Sequence, residues 1–236
     1  MQQAQHISKN ASKKPPGRVS VNIQQVLWLG RVFRGANSLF PALMQDPWYR
    51  KILREWWQNT AWAQGGNLLE MGCSSGDFSR EVAQQGYRVS GVDRNKNLIA
   101  AAEKHPMPQL KFQCGDVYDF DALPASYDGV FAASFLNVLP DPEAAVQRLS
   151  KLCKPGAWMS FLLPGPSMTA PAVWNYARSH QLNAASTALA LTWARFARKI
   201  DPQLAQTWFA QVPHHELRVT PLGLLYGISA QVAPAE

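Results

Sequence analysis

Asn67-Leu-Leu-Glu-Met-Gly-Cys-Ser-Ser-Gly-Asp-Phe-Ser79 is the stretch from which the rest of the chain is read. Leu68, Leu69 and Met71 make a short apolar run of the kind expected for a buried strand, closed by Glu70 and broken by Gly72. Gly76 breaks the pattern again, and Phe78 and Val82 then recur at helical spacing. Glycines in such a turn let the backbone approach a ligand closely and adopt dihedrals closed to other residues. The helix that follows begins with unpaired N–H groups and a partial positive charge. Strand, turn and helix together place a candidate ligand site at the carboxyl end of a strand.

Dinucleotide-binding proteins use this geometry with a G-x-G-x-x-G turn. Here the spacing is Gly72-x-x-x-Gly76, with Ser74 where a middle glycine would stand and Glu70 closing the strand. A fixed carboxylate repels a pyrophosphate and suits a ligand that carries an ammonium group. The pattern Glu70-x-Gly72-Cys73-x-x-Gly76 resembles the first motif of class I S-adenosylmethionine-dependent methyltransferases. The resemblance implies that Glu70 helps to hold the methionine ammonium group while Gly72, Cys73 and Gly76 wrap the nucleoside. Ser74 departs from the family's usual glycine and narrows the turn.

The theme recurs twice. Tyr87-Arg-Val-Ser-Gly-Val-Asp93 reads as a second strand closing on an acid, 23 residues beyond Glu70, with Gly86 ending the intervening helix. That is the spacing of one right-handed βαβ unit. A carboxylate there can accept both ribose hydroxyls, where an isolated aspartate would more often cap a helix. Arg94 follows it. Leu110-Lys-Phe-Gln-Cys-Gly-Asp116-Val117 is a third strand, its acid again 23 residues on. By resemblance Asp116 accepts from the adenine amino group and the Val117 N–H donates to the ring. A turn aspartate is the plainer reading of Asp116 alone.

Tyr127-Asp-Gly-Val-Phe-Ala-Ala is similar to the family's fourth strand. The resemblance then puts Ser134, Phe135, Leu136 and Asn137 under the reactive methyl group. Asp141-Pro142 opens a helix striped by Ala145, Val146, Leu149, Leu152 and Cys153 and stopped at Gly156. Trp158–Leu163 reads as strand five. Two strands, 215–220 and 224–232, close the chain as an antiparallel hairpin. The expected fold class is α/β: a doubly wound, mostly parallel seven-stranded sheet, Rossmann-like, with a C-terminal antiparallel hairpin and a helical lid.

Around that core, residues 1–20 are expected to form a disordered basic tail, with Lys9, Lys13, Lys14 and Arg18 among Pro15, Pro16 and Gly17. Residues 21–64 are expected to form a helical lid segment, with Asp46-Pro47 starting a helix whose stripe is Ile52, Leu53, Trp56 and Trp57. By resemblance, Tyr49, Arg50 and Arg54 of that segment could reach the cofactor carboxylate. Residues 65–236 are read as the S-adenosylmethionine-binding methyltransferase core, interrupted by a helical insertion at 165–213 too long for a plain crossover. Leu189, Trp193 and Phe196 of the insertion recur at helical spacing and read first as core. Arg195, Arg198 and Lys199 form a basic strip beside them, compatible with a membrane surface.

The chain has 236 residues, is 47% apolar and carries a formal charge of +7. It is long enough to bury a sizeable core. The three cysteines, Cys73, Cys114 and Cys153, are scattered, which indicates neither a disulfide framework nor a metal cluster. No apolar h-region or membrane-length run stands out, so the expected location is cytoplasmic and no metal is expected. The oligomeric state is left open.

Methyl transfer from a sulfonium is an in-line displacement that asks mainly for alignment and exclusion of water. A general base is needed only where the acceptor must lose a proton. Asn137, His180 and His214 are the weak candidates, and none is assigned. The aromatic insertion favours a small apolar or aromatic acceptor, with no nucleic acid expected. The alternatives are an RNA methyltransferase, suggested by the basic pI, and a non-catalytic S-adenosylmethionine-binding protein.

Overall fold

The structure is a computed structural model that describes residues 36–233. The expected basic tail and the first part of the lid segment lie outside the described residues. Two helices come first, α1 (Ala36–Gln45) and α2 (Pro47–Gln58). Asp46 separates them, and its carboxylate accepts from the Trp48 N–H at 2.9 Å while Pro47 occupies the first turn. The junction is therefore the capped helix start that Asp-Pro predicts.

There follow β1 (Asn67–Met71), α3 (Asp77–Gln84), β2 (Arg88–Asp93), α4 (Lys96–Ala102), β3 (Leu110–Cys114) and β4 (Tyr127–Ala133). A 3-10 turn (Leu136–Val138) leads to α5 (Pro142–Leu152) and β5 (Cys153–Pro164). Three helices, α6 (Ala170–Ser179), α7 (Ala184–Phe196) and α8 (Pro202–Thr207), precede β6 (His214–Leu222) and β7 (Leu225–Val232).

The strands form one seven-stranded sheet in the order β3-β2-β1-β4-β5-β7-β6. Strands β1 to β5 pair in parallel, and β7 runs antiparallel to both β5 and β6. The class of fold expected from the sequence is the one observed. The chain winds outward from β1 through β2 to β3, then returns to place β4 on the other side of β1. That reversal opens a crevice at the carboxyl ends of β1 and β4, where open α/β sheets bind ligands.

Neighbouring strand residues serve opposite faces. Leu68, Phe131 and Leu162 pack in one core cluster with α1, α2, α3 and α7, while Leu69, Val130 and Leu163 pack in the other with α5 and the Trp208–Phe209 turn. Full burial of an aliphatic side chain is worth about 1.5–3 kcal/mol, so the two clusters dominate the driving force. On the first face Trp56 donates to Ser160 Oγ at 2.8 Å, and Ser160 shares a 2.7 Å bond with Ser229. These bonds tie α2 to β5 and β7 with their polar atoms satisfied.

Two expectations change. The helix after Asp141 ends at Leu152, not at Gly156, because Cys153 is already extended and pairs with Tyr127. Gly156, at φ +79°, lies within β5 next to a register shift, and Lys154 pairs with Asp128 at 2.7 Å. Leu189 and Trp193 are core, as read, but Phe196 at the end of α7 is 66% exposed.

Candidate functional site

The turn after β1 is held from below. The Gly72 and Cys73 N–H groups both donate to the Val92 carbonyl, at 2.7 and 3.0 Å, so the turn hangs on β2. Gly72 has φ +77°, and a Cβ there would lie 2.6 Å from the Phe135 ring. Gly76, at φ +74°, is pressed on Phe112 so closely that any side chain would collide with it. Both positions need glycine for shape as well as dihedral. Ser74 sits between them at φ +52°, in the region that normally favours glycine. It is buried, and its Oγ has no partner among the described residues.

Asp93 ends β2 and receives the turn. One carboxylate oxygen accepts from the Ser74 N–H at 2.9 Å and the other from the Asn95 N–H at 2.8 Å. Each oxygen keeps a lone pair for a further donor. Asp116, beyond β3, accepts from the Tyr118 N–H at 3.1 Å through one oxygen and leaves the other unengaged. Among the described residues no group accepts the Val117 N–H.

These groups border one cavity of about 1040 Å³, counting its open mouth. Gly72, Asp93, Arg94, Asp116, Val117 and Ser134 of the sequence-predicted set line it, and so does Ser74, read from the sequence only as a departure from the motif. Apart from Asn95 and Gly115, its remaining wall is apolar: Met71, Leu98, Ala133, Phe135, Val138 and Leu139, with Phe40, Pro41 and Met44 from α1. The α1 residues escaped the sequence reading. Phe40 and Met44 are one helical turn apart, a spacing that any core-facing stripe shares.

Glu70, Cys73 and Gly76 do not line the cavity. Glu70 is buried behind Met71 and Gly72, and accepts from the Ser79 hydroxyl. Burial pushes its carboxyl up to about 8, against the lowering effect of the Ser79 bond. Cys73 is buried too, and desolvation raises its thiol well above the usual range. Burial thus favours the neutral, hydrogen-bonding form of Glu70, which lies off the cavity wall.

The helix α2 also differs from expectation in what it offers. Arg50 and Arg54 both pair with Glu81 of α3, so their guanidiniums are spoken for. Tyr49 is fully buried, and its hydroxyl shares a 3.1 Å bond with Ser134 Oγ. Burial raises the phenol, which keeps it neutral. Ser134, at φ +54°, is anchored by its own N–H donating to Leu162 O at 2.8 Å.

The three weak base candidates are dispersed. Asn137 is buried beside the cavity wall with Oδ1 unpartnered among the described residues. His180 is exposed at the end of α6, stacked on Tyr176 at 3.8 Å between ring centroids. His214 starts β6 and bonds to Val212 O. Neither histidine reaches the cavity.

A family model described as a methyltransferase domain matches residues 69–161, which span β1 to β5 and all three acid-bearing strand ends. Residues 69–161 match a methyltransferase domain, and the sheet has the class I methyltransferase fold. Curated relatives include ubiquinone biosynthesis O-methyltransferases from Chromobacterium violaceum, 33% identical over 101 residues (41% of this chain, 44% of the relative), and Idiomarina loihiensis, 34% identical over 101 residues (41% and 42%). The chain matches less than half the length of these relatives. Among solved structures, an S-adenosylmethionine-dependent methyltransferase from Methanosarcina mazei superposes with TM-score 0.55 at 18% identity, over 78% of this chain and 98% of that one. Phosphoethanolamine N-methyltransferase 2 from Haemonchus contortus, solved in complex with S-adenosyl-L-methionine, gives TM-score 0.63 at 14% identity, over 91% and 61%. Both likenesses concern the fold. The methyltransferase domain of this chain thus has the sheet order, the glycine turn and the crevice of its class.

Proposed function

We propose that the cavity binds S-adenosylmethionine and that the protein transfers its methyl group to a hydroxyl of a small, planar, largely apolar acceptor. The observation that carries the reading is the convergence of Asp93, Asp116, the Val117 N–H and the Ser74 hydroxyl on one cavity beside a glycine turn. A buried hydroxyl without a partner at such a wall fits a ligand that supplies one. Asp93 takes the ribose hydroxyls with its two remaining lone pairs. Asp116 takes the adenine amino group and Val117 donates to the ring, with Leu98 against its face.

When bound, S-adenosylmethionine supplies an electrophilic methyl group on a sulfonium that leaves as a neutral thioether. The chain's own part is alignment. Ser134 and Phe135 border the methyl end, with Ser134 held by Tyr49 from behind. Phe40, Met44, Val138 and Leu139 exclude water and select an apolar acceptor. With no histidine among the described residues on the wall, an acidic hydroxyl such as a phenol, which needs little help to lose its proton, is favoured over an aliphatic alcohol. The relatives named as O-methyltransferases support oxygen as the acceptor atom.

The test is transfer of labelled methyl from S-adenosylmethionine to a panel of hydroxylated aromatic compounds, with RNA as a parallel acceptor. Labelled aromatic ether is the expected product. Labelling of RNA alone contradicts the acceptor class, and cofactor binding with no transfer to any acceptor contradicts the enzymatic reading.

A further inference from the structure

The outer face of the α6–α7 hairpin combines features that the cavity does not use. Val173 and Ala177 of α6, and Leu189 and Trp193 of α7, are buried, so the inner face is committed to the core. Trp174 and Phe196 are nevertheless 54% and 66% exposed. Ala170, Leu191, Thr192, Ala194, Arg195 and Phe196 line a shallow groove where the start of α6 meets the end of α7. Large rings are costly to leave in water, and a patch of them marks a contact surface.

The hairpin's own sequence carries charge of one sign. From Ala144 to Ile200 the sequence contains no Asp or Glu, while Arg178, Arg195, Arg198 and Lys199 fall on or beside the hairpin. The Arg195 guanidinium lies over the Phe196 ring at 5.8 Å, which presents cation and ring together. Of the acids that flank this stretch, Glu143 accepts from the Gln147 amide, and Asp141 and Asp201 are engaged as helix caps by Ala144 N–H and Gln203 N–H. Arg198 also donates to Leu139 O at 3.1 Å, and Leu139 lines the cavity beside Val138, itself 54% exposed. The basic, apolar patch therefore borders the cavity wall.

We propose that this face docks on an anionic lipid bilayer. Aromatic rings suit the boundary between headgroups and acyl chains, and guanidiniums suit the phosphates above it. Among the described residues no helix is long and apolar enough to cross a membrane, so the contact is peripheral. Docking holds the cavity at the surface from which an apolar acceptor enters. That consequence rests on the proposed methyl transfer, whereas the docking itself does not.

The test is sedimentation of the full chain with vesicles of phosphatidylcholine, with and without phosphatidylglycerol. Wild type is expected to partition onto the phosphatidylglycerol vesicles, less so as salt is raised, and to remain free of phosphatidylcholine alone. Arg195→Glu should weaken partitioning at least about tenfold, since it reverses one charge near the surface. Phe196→Ser should weaken it by about tenfold by removing an inserted ring. Both side chains are exposed, so unchanged melting curves verify the fold. No binding by wild type overturns the proposal. So does binding that both variants retain, which would place the contact in the basic N-terminal run. Loss with Arg195→Glu but none with Phe196→Ser, matched by equal affinity for single-stranded RNA, also overturns it in favour of a polyanion site. Sedimentation needs no cofactor, so this failure and failure of the cofactor site are separate results.

Discussion

Ser74 shows how a single departure from a motif is absorbed. The position demands a left-handed backbone, and a serine there costs roughly 1 kcal/mol relative to an unstrained residue. Ser74→Gly is expected to raise stability to urea by up to about 1 kcal/mol. Because its Oγ has no partner among the described residues, the same change should weaken cofactor binding by about 0.5–1.5 kcal/mol, read by calorimetry. Glu70 poses the opposite case, a motif residue whose structural setting changes its chemistry. Its folded value, about 8, lies above the ordinary carboxyl value of 4.5. The stability linked to Glu70 is therefore fully present below about 4.5 and is lost as pH rises through about 8. Urea midpoints measured across that window should fall more steeply for wild type than for Glu70→Gln. Equal slopes would show that the carboxyl does not titrate there. From the sequence, Glu70 reads as a ligand-facing anion, because a strand-end acid looks the same whether it points into the crevice or behind it. Asp93 and Asp116 were legible as cavity residues for the reason that Glu70 was not: Asp93 is the last residue of β2 and Asp116 lies two residues beyond β3, whereas Glu70 lies within β1.

Helices differ in how much of their role their spacing reveals. The start of α2 is plain in Asp46-Pro47, but not the second bond of Asp46, which accepts from Ser186 Oγ at 2.8 Å and links α2 to the first turn of α7. Contacts between residues 140 apart leave no local trace. Asp46→Ala should accordingly cost about 2 kcal/mol in thermal or urea unfolding, more than an isolated cap. A loss of a few tenths would mean that the link to α7 carries nothing. The end of α5 was misplaced in the sequence because Gly156 resembles a helix stop, while β-pairing of Cys153 with Tyr127 claims the chain four residues earlier. Helix α1 was legible as a helix but not as a cavity wall: Phe40 and Met44 have the spacing of an ordinary buried stripe. The same limit applies to Phe196, whose periodic spacing suggested core, although α7 ends there and leaves it outside.

At the scale of the whole molecule, the sheet order carries the functional argument. Reversal of winding at β1 and β4 opens the crevice, and the acids at the ends of β2 and β3 supply polar groups along one side. The α1, α2 and α7 helices pack on one face of the sheet, and α1 closes the crevice with apolar side chains. The strand sequence was readable because parallel strands buried on both faces give continuous apolar runs. Acceptor choice was not, since it depends on side chains that converge from α1 and from the turn after β4. The central claim is that this crevice holds S-adenosylmethionine with Asp93 on the ribose. Calorimetric titration of wild type and Asp93→Ala tests it most directly. Loss of that charged contact should cost about 1.5–3 kcal/mol, a drop in affinity of about tenfold or more. No binding by wild type, or binding indifferent to Asp93→Ala, would contradict it.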